Sequence, residues 1–249
     1  MKNKTGVLLG RLMRNILRSP DTIITVAITP IMMMLLFVYV FGGAIDSGTN
    51  NYVNYLLPGI LLMAIASGVA YTSLRLFNDI KRGLMSRFIT MPIKRSSVLW
   101  AHVLTSLFSN ALTLVVVFLV ALLMGFRSGA PLLDWLAVVG ILGLFTLALT
   151  WLSIIPGLTA KSMEGATAYS YPLIFLPFIS SAFVPTETMP KVIRAFAENQ
   201  PVTSIVNAVR TLLYGGTVGN EIWIALGWCC GIMFLAYIFA SRAFKRKLG

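Results

Sequence analysis

The sequence predicts an all-α integral membrane protein with six transmembrane helices. Six stretches of at least 20 residues contain no Asp, Glu, Lys or Arg, and a helix needs about 20 apolar residues to cross a hydrocarbon core of about 30 Å. Hydrophobic residues make up 57% of the chain and charged residues only 11%, with a mean hydropathy of +0.85. The uncharged stretches are too long for barrel strands of about 9–11 residues, so they are predicted to be helices, which satisfy their own backbone groups in lipid.

The chain is predicted to form a single domain, 1–249, with spans at 22–45, 52–74, 96–126, 133–160, 165–186 and 222–241. Lys and Arg near span ends favour the cytoplasm. An arrangement with both termini in the cytoplasm places 16 of the 20 basic residues on that side. The net charge of +12 is therefore interpreted as topology signals and lipid-headgroup contacts rather than as a nucleic-acid-binding surface.

The segment before the first span, 1–19, is predicted to be an amphipathic helix that lies in the cytoplasmic interface. One half of its helical wheel is apolar and the other half carries Arg11, Arg14 and Arg18. Pro20 ends the helix. We expect no cleavable signal peptide, because the first apolar stretch is long enough to span and should be retained.

The connection between spans 2 and 3 is predicted to contain a short cytoplasmic helix over 79–91. Asp79 favours a helix N-terminus, and Pro92 ends the helix. Ile80, Leu84 and Phe88 recur every four residues and form an apolar stripe. Since these side chains would face the cytoplasm, they need an apolar surface to pack on, either lipid or a protein partner.

Span 5 and the connection after it carry several proline residues. Pro172 and Pro177 are expected to kink span 5, and its aromatic face of Tyr171, Phe175 and Phe178 is either packing or a wall for a hydrophobic substrate. The connection 187–216 is predicted to form two short extracellular helices that dip into the outer leaflet.

Few residues in the spans suggest catalytic chemistry. Apart from Asp134 at the start of the fourth span, no acid lies inside a predicted span, which argues against an ion-coupled carrier and against a carboxylate-based intramembrane enzyme. The single histidine, His102, is interpreted as an interfacial imidazole, and Cys229 and Cys230 as small packing residues rather than metal ligands. Asn110, the deepest amide, either hydrogen-bonds within the bundle or touches substrate.

The phosphate-binding pattern G-x-x-x-x-G-K-[ST] is not met, because the glycine before Lys161 is missing. The chain is therefore expected not to be an enzyme and to bind no cofactor or metal itself. If it moves a substrate uphill, the energy must come from another polypeptide.

Three groups of residues together resemble a known family. They are Tyr55-Leu-Leu-Pro-Gly-Ile60; the stretch from Asp79 through Gly83, Arg87-Phe88 and Met91-Pro-Ile-Lys-Arg95; and Leu176 to Pro185 followed by Met189-Pro190, Asn199-Gln-Pro-Val-Thr203, Arg210 and Gly215. In order and spacing they resemble the membrane subunits of type-2 ABC exporters, in particular the daunorubicin-resistance-like permeases of bacteria. The resemblance covers nearly the whole chain.

The resemblance implies a permease in the bacterial plasma membrane that pairs with a second permease, identical or related, and docks two copies of an ABC ATPase. ATP and Mg would be bound by the ATPase. The helix over 79–91 would be the coupling helix, with Leu84 and Phe88 as apolar anchors. Its full set of expected contact residues is Asp79, Lys81, Arg82, Gly83, Leu84, Arg87, Phe88 and Met91.

A small hydrophobic cargo, drug-like or antibiotic-like, is expected to pass along a path that includes Asn110, Tyr171, Phe175 and Phe178. Membrane lipids are expected neighbours, and nucleic acid is not an expected partner. Two alternatives stay open. One is export of a lipid or lipid-linked polysaccharide by the same fold, and the other is a membrane sensor or scaffold that binds a drug without transporting it.

Overall fold

The computed structural model describes residues 20–42, 52–83, 95–215 and 219–248, and all regular elements in these ranges are helical. Five of the described helices are long and apolar enough to cross a membrane: Ile23–Phe41, Tyr52–Lys81, Val98–Leu123, Leu132–Thr159 and Glu221–Arg246. They coincide with predicted spans 1, 2, 3, 4 and 6. The predicted all-α membrane class is therefore confirmed, and the protein crosses the membrane several times.

Among the described residues the first four α-helices and the last are long, and the four between them are shorter. We label the α-helices in chain order as α1 Pro20–Leu35, α2 Tyr52–Lys81, α3 Arg95–Leu123, α4 Leu132–Thr159, α5 Met163–Ala168, α6 Ser170–Phe175, α7 Lys191–Glu198, α8 Pro201–Tyr214 and α9 Glu221–Leu248. A π-helical turn, Leu36–Phe41, continues α1, and 3₁₀ turns occupy Leu176–Ile179 and Thr186–Thr188. We call the end of the bundle at which α2 begins the α8 end, because α8 packs there against α2, α4 and α9.

Helix α2 is the centre of the bundle. In its most apolar stretch 89% of the residues are buried, whereas the corresponding shares for α1 and α9 are 22% and 17%. It packs against α1, α3, α4 and the short helices α5 and α6. The largest hydrophobic cluster is built around its face of Leu56, Leu57 and Ile60, all fully buried. A displacement of α2 would therefore change the packing of all of these helices together.

The predicted fifth span, 165–186, is not one continuous helix. The structure divides it into α5, α6 and the 3₁₀ turn that ends at Ile179, and Ser180 is extended with φ −145° and ψ 179°. Proline explains the break, because Pro172 and Pro177 supply no backbone N–H for a regular helix ladder. The expected kink is thus a full interruption, and we call residues 163–179 the broken segment.

Helix α2 ends later than predicted, at Lys81 rather than at residue 74. Leu76 and Phe77 explain the extension, since they are buried and Leu76 joins a second apolar cluster at this end of the bundle. Asp79 therefore lies in the last turn of α2 and does not open a separate helix. Gly83 follows at a φ of +69°, a conformation that favours glycine and turns the chain out of the helix.

The connection after the broken segment contains two helices, α7 and α8. Pro190 precedes α7, and α8 begins with Pro201, whose fixed φ suits the first helical position. One face of α8 is fully buried through Ile205, Val206 and Val209. The predicted N-terminal helix, 1–19, lies outside the described residues.

Candidate functional site

A cavity of about 520 Å³ opens between α1, α2 and the broken segment. Tyr171, Phe175 and Phe178, the aromatic residues predicted as a substrate wall, all line it. The ring centroids of Phe175 and Phe178 lie 5.9 Å apart, and Phe178 is 6.2 Å from Phe37 of the π-helical turn. The fold therefore places the predicted aromatic face on one continuous wall.

The rest of the cavity is lined by aliphatic and hydroxyl-bearing side chains, and none of the described residues around it is charged. Besides the aromatic wall it comprises Thr25, Val26, Thr29, Met33, Met63, Ser67, Ala70, Tyr71, Leu74, Thr167, Ser170 and Ile174. An apolar cavity with a few hydroxyl groups suits an uncharged or weakly charged organic molecule.

Ser67 is the one deeply buried hydroxyl in this lining that lacks a partner among the described residues. The residue is 8% exposed. An unsatisfied buried hydroxyl costs roughly 1–3 kcal/mol.

Asn110, the other residue predicted along the path, does not line this cavity. Its amide Nδ2 donates to the Ser106 carbonyl oxygen at 2.9 Å, and its Oδ1 faces the backbone of Gly68 on α2. Ser106 in turn accepts a hydrogen bond from Thr72 Oγ1 at 2.7 Å and lies 3.0 Å from Thr150 Oγ1. Asn110 is thus part of a buried polar network that joins α2, α3 and α4.

The end of α2 opposite the α8 end carries a charged cluster. Asp79 Oδ2 lies 3.4 Å from Nε2 of the buried His102 on α3, and Arg75 interacts electrostatically with both. The Lys81 ammonium lies 5.7 Å from the centroid of the Phe77 ring. Asp79, at the start of the predicted coupling segment, therefore connects the end of α2 to α3.

The remaining residues of the predicted coupling segment divide into two groups. Lys81 and Arg82 are exposed at the end of α2, and Gly83 follows them. Leu84, Arg87, Phe88 and Met91 lie outside the described residues. The role of the segment as a whole is taken up below as a proposal.

A second polar cluster lies at the α8 end, around Arg210. The Arg210 Nη2 donates to the carbonyl oxygens of Ser181 and Tyr55 at 2.8 and 3.1 Å. Its Nη1 donates to Asn207 Oδ1 at 3.2 Å, and its Cζ lies 3.8 Å from the centroid of the Tyr55 ring. Burial lowers the pKa of the Arg210 guanidinium below its usual value, yet an arginine stays protonated at neutral pH.

A match to a family model decides the assignment. Residues 3–214 match the model described as "ABC-2 type transporter". The chain belongs to the ABC-2 type transporter family. This match includes all of the cavity lining, both polar clusters and the whole predicted coupling segment.

Curated relatives of this ABC-2 chain are named as permeases. It is 27% identical over 232 residues to the daunorubicin resistance ABC transporter permease protein DrrB1 of Streptomyces coeruleorubidus, covering 92% of this chain and 81% of the relative. It is 26% identical over 241 residues to the probable doxorubicin resistance ABC transporter permease protein DrrC of Mycobacterium tuberculosis strain CDC 1551 / Oshkosh, covering 95% and 86%. A putative transport permease, ycf38 of Cyanophora paradoxa, is 28% identical over 214 residues, covering 83% and 72%.

Two features of this ABC-2 chain were missed from the sequence. Arg210 belongs to the residue pattern that resembles the family, but no role was predicted for it. A lone arginine in the apolar stretch of α8 is nevertheless a signal of a partner inside the protein. His102 was interpreted as interfacial, although Asp79 on the preceding helix is a natural partner for an imidazole. Recognising either pair requires knowing which helix faces meet.

Proposed function

We propose that this ABC-2 permease is the membrane half of an ATP-driven exporter for a small hydrophobic compound. The observation that carries the proposal is the uncharged cavity of about 520 Å³ with its aromatic wall. Its volume and chemistry suit a small, mostly apolar molecule with a few hydrogen-bonding groups. The relatives named for daunorubicin and doxorubicin resistance support a drug-like cargo.

The energy would come from a separate ABC ATPase, present in two copies, which binds ATP and Mg. Its contact surface on the permease would be the segment 79–91. Leu84 and Phe88 would be the apolar anchors, while Lys81, Arg82 and Arg87 would supply charged contacts. Because Asp79 contacts His102, a movement of this segment would be transmitted directly to α2 and α3.

The cavity is open on one side, where the Tyr171 and Phe175 side chains are each 60% exposed. A second permease, identical or related, would cover this side and complete the path. We place both termini in the cytoplasm of a bacterial cell, because that orientation follows the distribution of Lys and Arg. The α8 end then faces outward.

The coupling proposal is tested with the permease co-purified with its ATPase in lipid nanodiscs. Leu84→Asp or Phe88→Asp should lower cargo-stimulated ATP hydrolysis at least about tenfold, because a buried apolar anchor is lost. Val192→Asp, at an exposed apolar side chain of α7, is the matched control and should keep the parental rate. Parental rates in both coupling variants would refute the docking assignment.

The cavity proposal is tested by ATP-dependent uptake of fluorescent daunorubicin into inside-out vesicles. Phe175→Ala should weaken the apparent affinity about three- to tenfold, as expected for loss of an aromatic contact. Phe234→Ala on α9 removes a comparably exposed ring away from the cavity and should have no effect. An unchanged apparent affinity in Phe175→Ala would show that the cavity does not lie on the transport path.

The same vesicles discriminate the alternatives. Uptake of a labelled lipid or lipid-linked polysaccharide, without uptake of daunorubicin, would favour the lipid-type exporter. Binding of daunorubicin without ATP-dependent accumulation would favour the sensor or scaffold.

A further inference from the structure

The turn after the broken segment is held by side chains from other elements. Residues 180–183 lie outside any helix, and the Ser181 carbonyl accepts from Tyr55 Oη at 3.0 Å and from Arg210 Nη2 at 2.8 Å. Phe183 accepts from Tyr52 Oη at 2.9 Å. Because lipid supplies no donors, these contacts hold the turn, residues 180–183, against the first turns of α2.

Arg210 is the centre of this arrangement, since its single Nη2 joins the turn to α2. The same nitrogen donates to the carbonyls of Ser181 and Tyr55, and the guanidinium stacks on the Tyr55 ring. Helix α8 adds a hydrogen bond to this part of α2 through Tyr214. Pro58 has no N–H for the Asn54 carbonyl, and Tyr214 Oη donates to that oxygen at 3.0 Å.

The acceptors around Arg210 are neutral. Its hydrogen bonds end on two backbone carbonyls and on the Asn207 amide oxygen, and the ion pairs found among the described residues do not include it. Hydrogen bonds to neutral acceptors depend on distance and angle, so a small displacement of α2 or of the turn would break several of them together. Glu221 acts on Arg210 electrostatically but forms no ion pair with it, so such a contact can be remade without breaking a direct ion pair in a low-dielectric site.

We propose that Arg210 is a positioning residue that holds the turn 180–183 onto α2 and keeps the α8 end of the path closed until α2 moves. The proposal rests on the export function proposed above, because that function defines the path. It predicts that loss of the guanidinium opens this end locally while the rest of the bundle stays packed.

The test is the rate at which buried cysteines react with a maleimide in the purified permease, with Cys229 and Cys230 replaced by Ala. Ser180→Cys reports on the turn, and Ser153→Cys on α4 is its matched control. Both serines are 0% exposed, and each donates to the carbonyl three residues earlier, at 2.6 and 2.7 Å. No nucleotide or cargo is needed, so a failure of the proposed export function leaves this measurement intact.

Arg210→Met should speed the labelling of Ser180→Cys at least about tenfold, because hydrogen bonds to a charged group are lost, and should leave Ser153→Cys unchanged. Arg210→Lys should fall between, because an ammonium lacks the planar fork. Arg194→Gln, at an exposed arginine paired with Glu198 on α7, should match the parent. Unchanged labelling of Ser180→Cys in Arg210→Met would overturn the proposal, as would equal acceleration at both cysteines, which would indicate a general loss of packing.

Discussion

Gly68 of α2 and Asn110 of α3 meet side by side at the centre of the bundle. A Cβ at position 68 would overlap the Asn110 Oδ1, and the nearest atoms are all from that one amide. The amide is itself held by its bond to the Ser106 carbonyl. The fit is therefore specific to this pair, and neither residue can be enlarged alone.

Gly68→Ala should lower the free energy of unfolding by about 1–3 kcal/mol, because the added methyl forces the amide to shift. The effect should shrink in Gly68→Ala/Asn110→Ala, where the amide is absent. Denaturant titration in detergent micelles measures both. Gly140→Ala on α4, where nothing lies within 4 Å of the new Cβ, is the control and should be neutral or stabilising by up to about 1 kcal/mol.

Single residues were predictable where type and helical spacing sufficed. Tyr171, Phe175 and Phe178 share a face by spacing alone, and the structure places all three on the cavity wall. Asn110 was predicted to be deeply buried, and the structure confirms its burial. Whether its amide bonds within the bundle or faces a substrate could not be predicted, because this depends on how closely Gly68 of α2 approaches it. The contacts of Arg210 span 155 residues to Tyr55, so no local pattern could reveal them.

At the scale of elements, one hydroxyl network fastens three long helices together. Ser106 of α3 accepts from Thr72 of α2, contacts Thr150 of α4 and lies 3.4 Å from Asn110 Nδ2. Hydrophobic burial does not drive helix association in lipid, so packing and interhelical hydrogen bonds have to contribute. This network is a polar link between α2, α3 and α4.

Ser106→Ala should therefore lower the free energy of unfolding by about 0.6 kcal/mol, the average for interhelical hydrogen bonds in a membrane, and by no more than about 1.7 kcal/mol, the largest value. Ser109→Ala, a partly buried serine one turn further along α3, should be close to neutral. Thermal unfolding of the two variants in the same detergent gives the comparison. Equal midpoints for the parent and Ser106→Ala would contradict a stabilising role for the network.

The long helices were predictable because length and apolar content decide whether a segment can span. Their ends were less so. Helix α2 continues to Lys81 because Leu76 and Phe77 find buried partners, which a charge-based boundary at Arg75 does not detect. The prolines of the broken segment signalled a disturbance, but a kink and an interruption have the same sequence signal.

At the scale of the whole molecule, the broken segment decides the layout in the membrane. The six-crossing arrangement requires residues 163–186 to pass from one face to the other even though they do not form a single helix. Lys161 and Glu187 flank this stretch, and both are exposed. We predict that they lie on opposite sides of the membrane.

Paired reporters test this layout in intact cells. Green fluorescent protein should fluoresce, and alkaline phosphatase should be inactive, when fused after Lys161. The reverse should hold after Glu187, because the second site follows a crossing to the outer face. The same result at both sites would leave five crossings and would place the termini on opposite sides.

The turn at residues 180–183 also constrains the order in which the protein is made. The donors to the Phe183 and Ser181 carbonyls from α2, Tyr52 and Tyr55, are synthesised before the turn, whereas Arg210, the second donor to Ser181, is synthesised 29 residues after it. A ribosome-bound chain that has not yet delivered α8 can pair these two carbonyls with α2, but it lacks the guanidinium that joins Ser181 to the Tyr55 backbone. The turn 180–183 should therefore take up its full set of contacts with α2 only after α8 has been synthesised.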